Sequence, residues 1–472
     1  MAVDDEDLNF LPAHEMVELV SSRKLSATEL LEIHLTRIEQ VNSKINAIVT
    51  LDVDRARESS RSIDARIARG EPVRPLEGLP IAHKDLTLTK GLTTTFGSTL
   101  FENFVPDQDA LIVTRLKDAG AVTIGKTNTP EFGAGSQTFN NVFGATVNPY
   151  DCSLTCGGSS GGAAAALASG MIPLADGSDL GGSLRNPAAF CNVVGLRPST
   201  GRVPAWPTTS AWFPLSVLGP MGRTVQDIAL MMSVISGFDD RCPISISEPG
   251  SIFCEQLDRD FKGVRVAWSP TLGGLPVDQQ VTDVLANARR YLEDLGCIVD
   301  EVDPDLSGAD EIFLTLRAWH MEATLGELLK KHPSSFKDTL VWNIGEGLKL
   351  SGPDLGQAER LRTSLFERLN RFMQTYEFII CPVTQVLPFD VTQPFVREIN
   401  GIQLENYLEW MKSCFQISVT GHPALSVPAG FSPTGLPVGM QIVGRYRDDF
   451  GVMQLGHAYE QATEFWKNRP EL

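Results

Sequence analysis

The segment DLGGSLRNP, residues 179–187, places a serine directly after a pair of glycines. A serine hydroxyl is a weak nucleophile until a neighbouring base takes its proton. Paired glycines make tight turns, and they also let a substrate approach the backbone closely. The segment therefore indicates either a turn or a nucleophile, Ser183, lying among backbone N–H donors.

A second segment rich in glycine and serine, CGGSSGG at residues 156–162, precedes an alanine-rich run that is typical of a helix. The N–H groups at a helix N-terminus lack intrahelical partners and attract negative charge. A phosphate-binding loop is a weak alternative, because the chain lacks the pattern GxxxxGK[ST].

Residues 157–161 also match the GxSxG pattern of α/β-hydrolases, with Ser159 at its centre. The stretch before it, NPYDCSLTC, is polar, whereas a nucleophile elbow follows a buried strand. A Ser-His-Asp triad is therefore a remote alternative. The candidate bases for it are His320, His332, His422 and His457.

A lysine is the third candidate group. Lys84 lies near the end of the apolar segment GLPIAHKD, residues 78–85. Burial disfavours the charged form of an amine, so a buried lysine can accept a proton from a serine. On its own, Lys84 is better explained as a surface lysine paired with Asp85. His83, directly before it, is expected to be a core histidine.

Taken together, these segments resemble the amidase signature family. The family pattern contains GxPxxxKD, GGSSGG, D-x-GGS-[IL]-R-x-P and GxKP, and this chain has GLPIAHKD, CGGSSGG, DLGGSLRNP and GLRP. The signature proper spans residues 157–198, and further similar segments extend over nearly the whole chain. The resemblance implies a hydrolase that cleaves the C–N bond of small apolar or aryl amides through an acyl-enzyme. Anilides, carbamates and esters are further candidate substrates, and no metal or organic cofactor is implied.

The family uses a Ser–cis-Ser–Lys triad. The resemblance therefore implies Ser183 as the nucleophile, Ser159 as the bridging serine and Lys84 as the general base. The offset of 24 residues between the two serines fits the family pattern, which Ser160 would miss by one.

The resemblance also implies supporting roles around this triad. The backbone N–H groups expected to form an oxyanion hole belong to Leu180, Gly181, Gly182 and Ser183. The side chains expected to support the loop are those of Asp179, Arg185 and Ser160. A plain surface ion pair between Asp179 and Arg185 is the alternative.

Two segments are candidates for contact with the substrate. The loop EFGAGS resembles the one that borders the substrate in the family, which points to Phe132, Gly133 and Ala134. The stretch after the signature is apolar and aromatic, so it lines a pocket or belongs to the core. Its candidate residues are Trp206, Trp212, Phe213 and Leu215.

The main alternative function is a glutamine-handling amidotransferase A-type subunit that works with partner proteins. That class usually reads DTGGSIRQP, whereas this chain reads DLGGSLRNP. Hydrolases of apolar amides more often carry an aliphatic residue at this second position. The resemblance therefore favours a stand-alone amidase for a small-molecule substrate, and it is compatible with a homodimer.

Strands and helices alternate along the chain, which is typical of an α/β fold with a buried, mostly parallel sheet. Ser26 and Glu29 form a capping box before a helical apolar pattern. Further helices are predicted over residues 52–69, 278–295, 311–331 and 356–376. Strands are predicted around Lys84, before and after the GGSSGG helix, in GVRVAWS, CIVDEVD and EFIICPV, and in a hairpin near the C-terminus.

The resemblance implies one amidase-signature domain over residues 1–472, built on a central mixed, largely parallel sheet covered by helices on both faces. Within it we expect an N-terminal helical region (residues 1–70), a signature core (71–240) and a part with substrate-side helices and C-terminal strands (241–472).

The composition restricts the partners and the compartment. Forty Lys and Arg stand against 58 Asp and Glu, which gives a net charge of −18 and argues against nucleic acid and anionic membranes as partners. The eight cysteines are scattered, and the first residues lack a basic signal-peptide region. We therefore expect a cytoplasmic protein with reduced thiols. The seven histidines form no HExxH pattern, so a metal site is not expected.

Overall fold

The computed structural model describes residues 5–472. The capping box predicted at the start of the long N-terminal helix is present. The Ser26 hydroxyl accepts a hydrogen bond from the Glu29 N–H at 3.0 Å, and the Glu29 carboxylate accepts one from the Ser26 N–H at 2.8 Å. These bonds satisfy two backbone donors that a helix N-terminus would otherwise leave unpaired.

Within residues 5–472 the α-helices are α1 (Asp5–Phe10), α2 (Ala13–Ser21), α3 (Ala27–Ile45), α4 (Val53–Ala68), α5 (Leu111–Asp118), α6 (Gly161–Ala168), α7 (Arg185–Phe190), α8 (Val225–Ile235), α9 (Gln279–Asp294), α10 (Ala309–Lys331), α11 (Asp338–Lys349), α12 (Gly352–Thr375), α13 (Lys412–Ser418) and α14 (Asp449–Thr463). The predicted helices over residues 52–69, 278–295, 311–331 and 356–376 are confirmed as α4, α9, α10 and α12.

Over the same residues the strands are β1 (Ile48–Leu51), β2 (Pro80–Lys84), β3 (Val122–Thr127), β4 (Phe139–Asn140), β5 (Gly144–Ala145), β6 (Val147–Asn148), β7 (Asp151–Thr155), β8 (Leu174–Asp179), β9 (Val194–Arg197), β10 (Val217–Gly222), β11 (Arg265–Trp268), β12 (Ile298–Glu301), β13 (Phe378–Pro382), β14 (Glu398–Ile399), β15 (Ile402–Gln403), β16 (Ala424–Phe431) and β17 (Pro437–Gly444).

Eleven of the described strands form one sheet, in the order β1-β3-β2-β8-β10-β9-β16-β17-β13-β11-β12. The predicted mixed sheet is confirmed. Parallel pairing joins β2 to β3 and β8, and β11 to β12 and β13. The strands that lie between these two groups, β9 and β10 among them, pair antiparallel with their neighbours. The sequence pattern does not predict these two strands, since β10 contains glycine and proline, which are depleted in strands.

Both faces of the sheet are covered, as the resemblance implies. Successive side chains of a strand point to opposite faces. In β13, Phe378 and Ile380 belong to one buried apolar cluster, whereas Ile379 and Cys381 belong to another. Each face of the sheet therefore has its own core. The single-domain organisation stays a prediction, which the continuity of the sheet supports.

Helix α11 is not predicted from the sequence, because its two glycines lower helix propensity. The structure explains one of them. A Cβ built on Gly347 would lie 2.3 Å from the carbonyl oxygen of Ala318 in α10, so only glycine lets the two helices approach this closely. Packing against α10 therefore stabilises α11 despite its composition.

No helix in the part of the chain that the structure describes is long and apolar enough to span a membrane.

The two glycines of α11 give a matched pair of substitutions. Gly347→Ala should destabilise the protein by about 1–3 kcal/mol, because its methyl group overlaps the α10 backbone. Gly345→Ala has no atom within 4 Å of the new Cβ and should stabilise by about 0.5–1 kcal/mol through helix propensity. Urea unfolding of both variants measures the difference. Equal effects of the same sign would contradict the packing of α11 on α10.

Candidate active site

Lys84 is the last residue of β2, which lies inside the sheet between β3 and β8. Its side chain is fully buried. The ammonium nitrogen Nζ donates hydrogen bonds to three hydroxyl groups: Ser159 Oγ at 2.8 Å, Ser160 Oγ at 2.9 Å and Ser178 Oγ at 3.0 Å. The surface pairing with Asp85 that Lys84 alone indicates is therefore wrong.

The environment of Lys84 changes its charge state. Burial lowers the pKa of its amine to about 7, although the nearby carboxylates of Asp179 and Asp176 act in the opposite direction. A substantial fraction of the amine is therefore uncharged at neutral pH, and an uncharged amine can accept a proton.

The two neighbouring serines of GGSSGG lie just before α6 and point in different directions. Ser159, whose peptide bond to Gly158 is cis, lines a cavity. The Ser160 hydroxyl instead lies against β8, where it accepts a hydrogen bond from the Ser178 N–H at 3.4 Å. Both serines contact Lys84, but only Ser159 also faces the cavity.

Ser183 lies in the loop between β8 and α7, and it lines the same cavity as Ser159. Its side chain is 8% exposed. Its carbonyl oxygen accepts a hydrogen bond from the Ser160 N–H at 3.2 Å, which fixes the loop against the GGSSGG segment. The three side chains that the sequence singles out are therefore brought together in one place.

The backbone donors of this loop divide into two groups. The N–H of Gly182 donates to Asp179 Oδ1 at 2.9 Å, so it holds the loop. The N–H groups of Leu180, Gly181 and Ser183 have no acceptor among residues 5–472. In this structure the Gly182 N–H is therefore occupied, whereas the other three N–H groups remain without an acceptor among the described residues, and the oxyanion-hole role of all four stays a prediction.

The paired glycines are required by space and backbone conformation as well. A Cβ built on Gly181 would lie 2.7 Å from Cζ of Phe313 in α10. Gly182 has a φ of +121°, and its Cβ would lie 2.6 Å from Cβ of Cys414. A side chain at either position would displace the loop that carries Ser183.

The Asp179 carboxylate lies between two arginines, and all three side chains are buried. It accepts hydrogen bonds from Arg185 Nε and Nη2 at 3.0 Å and from Arg197 Nη1 at 3.0 Å. Burial would raise the pKa of Asp179, but the two guanidinium groups hold it well below its usual range. The alternative of a surface pair is therefore wrong. In the sequence, the only signal for Arg197 is its place in GLRP.

A second polar network lies beside Lys84. The predicted core position of His83 is confirmed: its Nδ1 lies 2.7 Å from Asp176 Oδ1, and its Nε2 lies 3.0 Å from the Thr123 hydroxyl. Lys126, which the sequence analysis missed, is also buried and donates to the Thr89 hydroxyl at 3.1 Å. Burial lowers the pKa of Lys126 to about 8. These groups do not line the cavity.

The cavity has a volume of about 440 Å³. Its floor is polar and includes Ser159, Ser178 and Ser183. Its walls are mostly apolar, and their residues include Leu86, Leu88, Phe96, Phe132, Phe313, Met321 and Met411. A site of this kind can hold a small apolar molecule with one reactive polar group on the floor.

The predicted substrate contacts are only partly found there. Phe132 and Gly133 line the cavity, whereas Ala134 lies behind it in a small apolar cluster. Trp212 is 75% exposed and is not part of the wall, so the cavity gives its predicted substrate contact no support. Phe213 lies one layer behind, where its ring stacks on His320 at 3.9 Å between centroids.

The remaining candidates of that stretch also lie away from the wall. Leu215 belongs to the core, and Trp206 lies under the guanidinium of Arg241. Their apolar character therefore reflects packing and a surface contact. Sequence alone does not show which apolar residues of a loop face a cavity.

The arrangement argues against a histidine base. Within the described residues, no histidine forms a hydrogen bond with Ser159 or Ser183. His320 is the one predicted candidate that lines the cavity, and burial lowers its pKa to about 4. In addition, Ser159 follows the exposed strand β7 of a two-stranded ribbon, whereas a nucleophile elbow follows a strand of the main sheet.

Within residues 7–472, no group of three or more His, Cys, Asp or Glu side chains could hold a metal ion. The chemistry that the site itself offers is proton transfer between hydroxyls and an amine, next to backbone donors.

Comparison with known proteins gives consistent similarities. A family model described as Amidase matches residues 29–453. An acylamidase of Rhodococcus erythropolis is 35% identical over 469 residues, covering 99% of this chain and 98% of the relative. The A-type subunit of a glutamyl-tRNA(Gln) amidotransferase from Heliobacterium modesticaldum is 35% identical over 485 residues, covering 98% of each. The crystal structure of a bacterial aryl acylamidase of the amidase signature enzymes superposes with a TM-score of 0.92 at 30% identity, covering 98% of this chain and 100% of that one.

The Asp179 cluster predicts a stability effect. Asp179→Asn should destabilise the protein by about 3–5 kcal/mol at neutral pH, because it leaves two buried guanidinium groups without their counter-charge. Asp300→Asn, which breaks an exposed pair with Arg265, should cost at most about 1 kcal/mol. Urea unfolding compares the two variants.

The pH dependence gives a second readout for the same prediction. Because the folded pKa of Asp179 is depressed, its contribution is present above the unfolded value of about 3.9 and is lost as the pH falls below it. The stability difference between wild type and Asp179→Asn should therefore shrink in acid. A difference that is small at neutral pH would contradict a structural role for the cluster.

Proposed function

The chain belongs to the amidase family, the amidase signature enzymes, and on that premise we propose that it is a stand-alone serine hydrolase of small amides. It is an amidase, and the finer assignment concerns its catalytic residues and its substrates. We assign the nucleophile to Ser183, the bridging hydroxyl to Ser159 and the base to Lys84.

One observation carries this assignment. The buried amine of Lys84 lies within hydrogen-bond distance of Ser159, and Ser159 shares a cavity with Ser183. A protonated amine donates three hydrogen bonds, which matches the three hydroxyls around Nζ. A neutral amine has a lone pair, so one of these hydroxyls must then donate to it. We assign this role to Ser159: Ser160 faces away from the cavity, and Ser178, which also lines it, is not one of the two serines of GGSSGG from which the family resemblance draws the bridging residue.

The first half of the reaction forms the acyl-enzyme. Neutral Lys84 takes the Ser159 proton while Ser159 takes the proton of Ser183, whose Oγ attacks the amide carbonyl carbon. Negative charge develops on the carbonyl oxygen, and the unbonded N–H groups of Leu180, Gly181 and Ser183 are positioned to stabilise it. The proton then returns through Ser159 to the leaving nitrogen, and the C–N bond breaks.

The second half restores the enzyme. A water molecule attacks the ester carbon while its proton passes through Ser159 to the neutral amine of Lys84. The C–O bond to Ser183 breaks, Ser183 recovers its proton, and the acid leaves. One amide and one water thus become one carboxylic acid and one amine. Ser160 and Ser178 hold the amine of Lys84 in place during both halves.

The apolar walls support small apolar or aryl amides as substrates, with anilides, carbamates and activated esters as specific candidates. The acylamidase and aryl acylamidase relatives support the same class. An amidotransferase A-type subunit is the alternative, supported by relatives of equal identity. Whether the purified chain hydrolyses amides without partner proteins distinguishes these two functions.

We predict that the purified chain hydrolyses a p-nitroanilide or a p-nitrophenyl ester faster than it hydrolyses glutamine. Ser183→Ala should lower kcat/KM by about 10⁴-fold or more, because the nucleophile is gone. Ser160→Ala removes a single hydrogen bond to Lys84 and should cost about tenfold. Mass spectrometry after labelling with a fluorophosphonate should locate the adduct on Ser183.

Two results would refute this assignment in different ways. An adduct on Ser159 would revive the α/β-hydrolase alternative. Glutaminase activity that needs added partner proteins, with no hydrolysis of the model amides or esters, would favour the amidotransferase alternative.

The lowered pKa of Lys84 predicts the pH profile. Only the neutral amine accepts a proton, so kcat/KM for a neutral ester should rise with pH through about 7 and then level off. Lys84→Ala should lose most activity together with this rise. Lys84→Arg should be nearly as inactive, because arginine stays charged. A Lys84→Ala variant that keeps the rise at the same midpoint would show that another group is the base.

A further inference from the structure

Arg317 of α10 is a buried cation that the proposed reaction does not use. Its side chain is 5% exposed, and it lines the cavity that contains Ser183. One of its nitrogens, Nη2, donates to the Tyr407 hydroxyl at 2.7 Å, while its buried Nε has no hydrogen-bond partner. No ion pair within residues 7–472 includes Arg317.

This situation sets Arg317 apart from the other buried arginines. Burying a guanidinium without a counter-charge or several acceptors is costly. Arg185, Arg197 and Arg202 each pair with a buried aspartate. Arg223 donates to three backbone carbonyl groups. Arg317 has no such counter-charge within the described residues, and an anionic molecule in the cavity can therefore supply one.

The surroundings of Arg317 favour an anionic partner. No aspartate or glutamate lines the described cavity, although the chain carries a net charge of −18. His320, one turn further along α10, is uncharged at neutral pH, because burial lowers its pKa to about 4. Lys337 adds positive charge: its amine donates to the carbonyl group of Ala134, next to Gly135 of the cavity wall. Glu131 does not line the cavity, but its carboxylate accepts the Lys337 N–H at 3.0 Å and its negative charge partly offsets that of the Lys337 amine.

Arg317 lines the same cavity as Gly181 and Ser183. Phe313 packs directly against Gly181, whose N–H faces the developing oxyanion in the proposed reaction. Arg317 follows one helical turn later, about 6 Å along the axis. An acid group about four bonds from the scissile carbonyl is comparable with this rise, and it is the chain length used in the test below.

We infer that the cavity accepts amides that carry a carboxylate, and that Arg317 is the residue that binds this group. The inference rests on the proposed function and narrows its substrate class: the apolar walls take the carbon chain, and the guanidinium takes the charged end. A guanidinium offers paired donors that match the two oxygens of a carboxylate. The Tyr407 hydroxyl accepts a hydrogen bond from Nη2, and no other hydrogen bond within the described residues uses the remaining donors of this guanidinium.

The test compares two substrates of equal chain length. The p-nitroanilide of glutaric acid has a terminal carboxylate where the p-nitroanilide of pentanoic acid has a methyl group. Wild type should prefer the glutaryl compound in kcat/KM by about tenfold or more, the range of a charged hydrogen bond. Arg317→Met should abolish this preference, because kcat/KM for the glutaryl compound should fall to that of the pentanoyl compound or below it. Lys337→Met is the matched control cation and should keep the preference.

The pH dependence identifies which cation is responsible. Arginine stays charged throughout, so the preference should stay constant from about pH 6 to about pH 9. A preference that disappears above about pH 7 or pH 8 would assign the carboxylate to Lys84 or Lys337 instead, because burial lowers their pKa values to about 7 and about 8.

Binding separates this inference from the proposed function. Calorimetry should detect glutarate binding to Ser183→Ala, and Arg317→Met or Arg317→Lys should weaken it. If wild type cleaves the pentanoyl compound at least as well as the glutaryl one, the inference is wrong and the hydrolase assignment stands. If glutarate binds through Arg317 but neither anilide nor any ester is cleaved, the hydrolase assignment is wrong and the carboxylate site stands.

Discussion

The carboxylate of Asp179 is the group on which the rest of the site depends. It ends β8, binds the N–H of Gly182, and is held between Arg185 of α7 and Arg197 of β9. Because all these groups are buried, none of them can move without exposing an unpaired charge to a medium of low polarity. The loop that carries Ser183 is therefore fixed by electrostatics, and its glycines then fix how closely α10 can approach.

The same carboxylate also influences the base. Desolvation alone would lower the pKa of Lys84 further, and the negative charges of Asp179 and Asp176 partly offset it. The result is an amine with a pKa of about 7, which can change its protonation state during a reaction. One buried aspartate thus contributes both to the shape of the loop and to the basicity beside it.

The sequence predicts the grouping of Lys84, Ser159 and Ser183, because each lies in a short contiguous motif. It also predicts the helices with strong periodicity. It does not predict the direction of a single N–H or of a side chain in a loop, which is why it does not show that the Gly182 N–H is bonded to Asp179 or that Trp212 is exposed. Arg317 has no sequence signal at all, because its importance comes from the absence of a carboxylate among the described cavity residues, which only the fold brings together.

The contact between Gly181 and Phe313 joins two stretches of chain that are 132 residues apart. The proposed reacting groups come from residues 84–183, whereas six residues of the cavity lining come from one helix, α10. Substitutions along that helix can therefore change which molecules are accepted and leave the proton-transfer groups untouched. A protein built in this way can acquire new substrates through mutations in a single helix, and libraries for directed evolution can be confined to its inward positions.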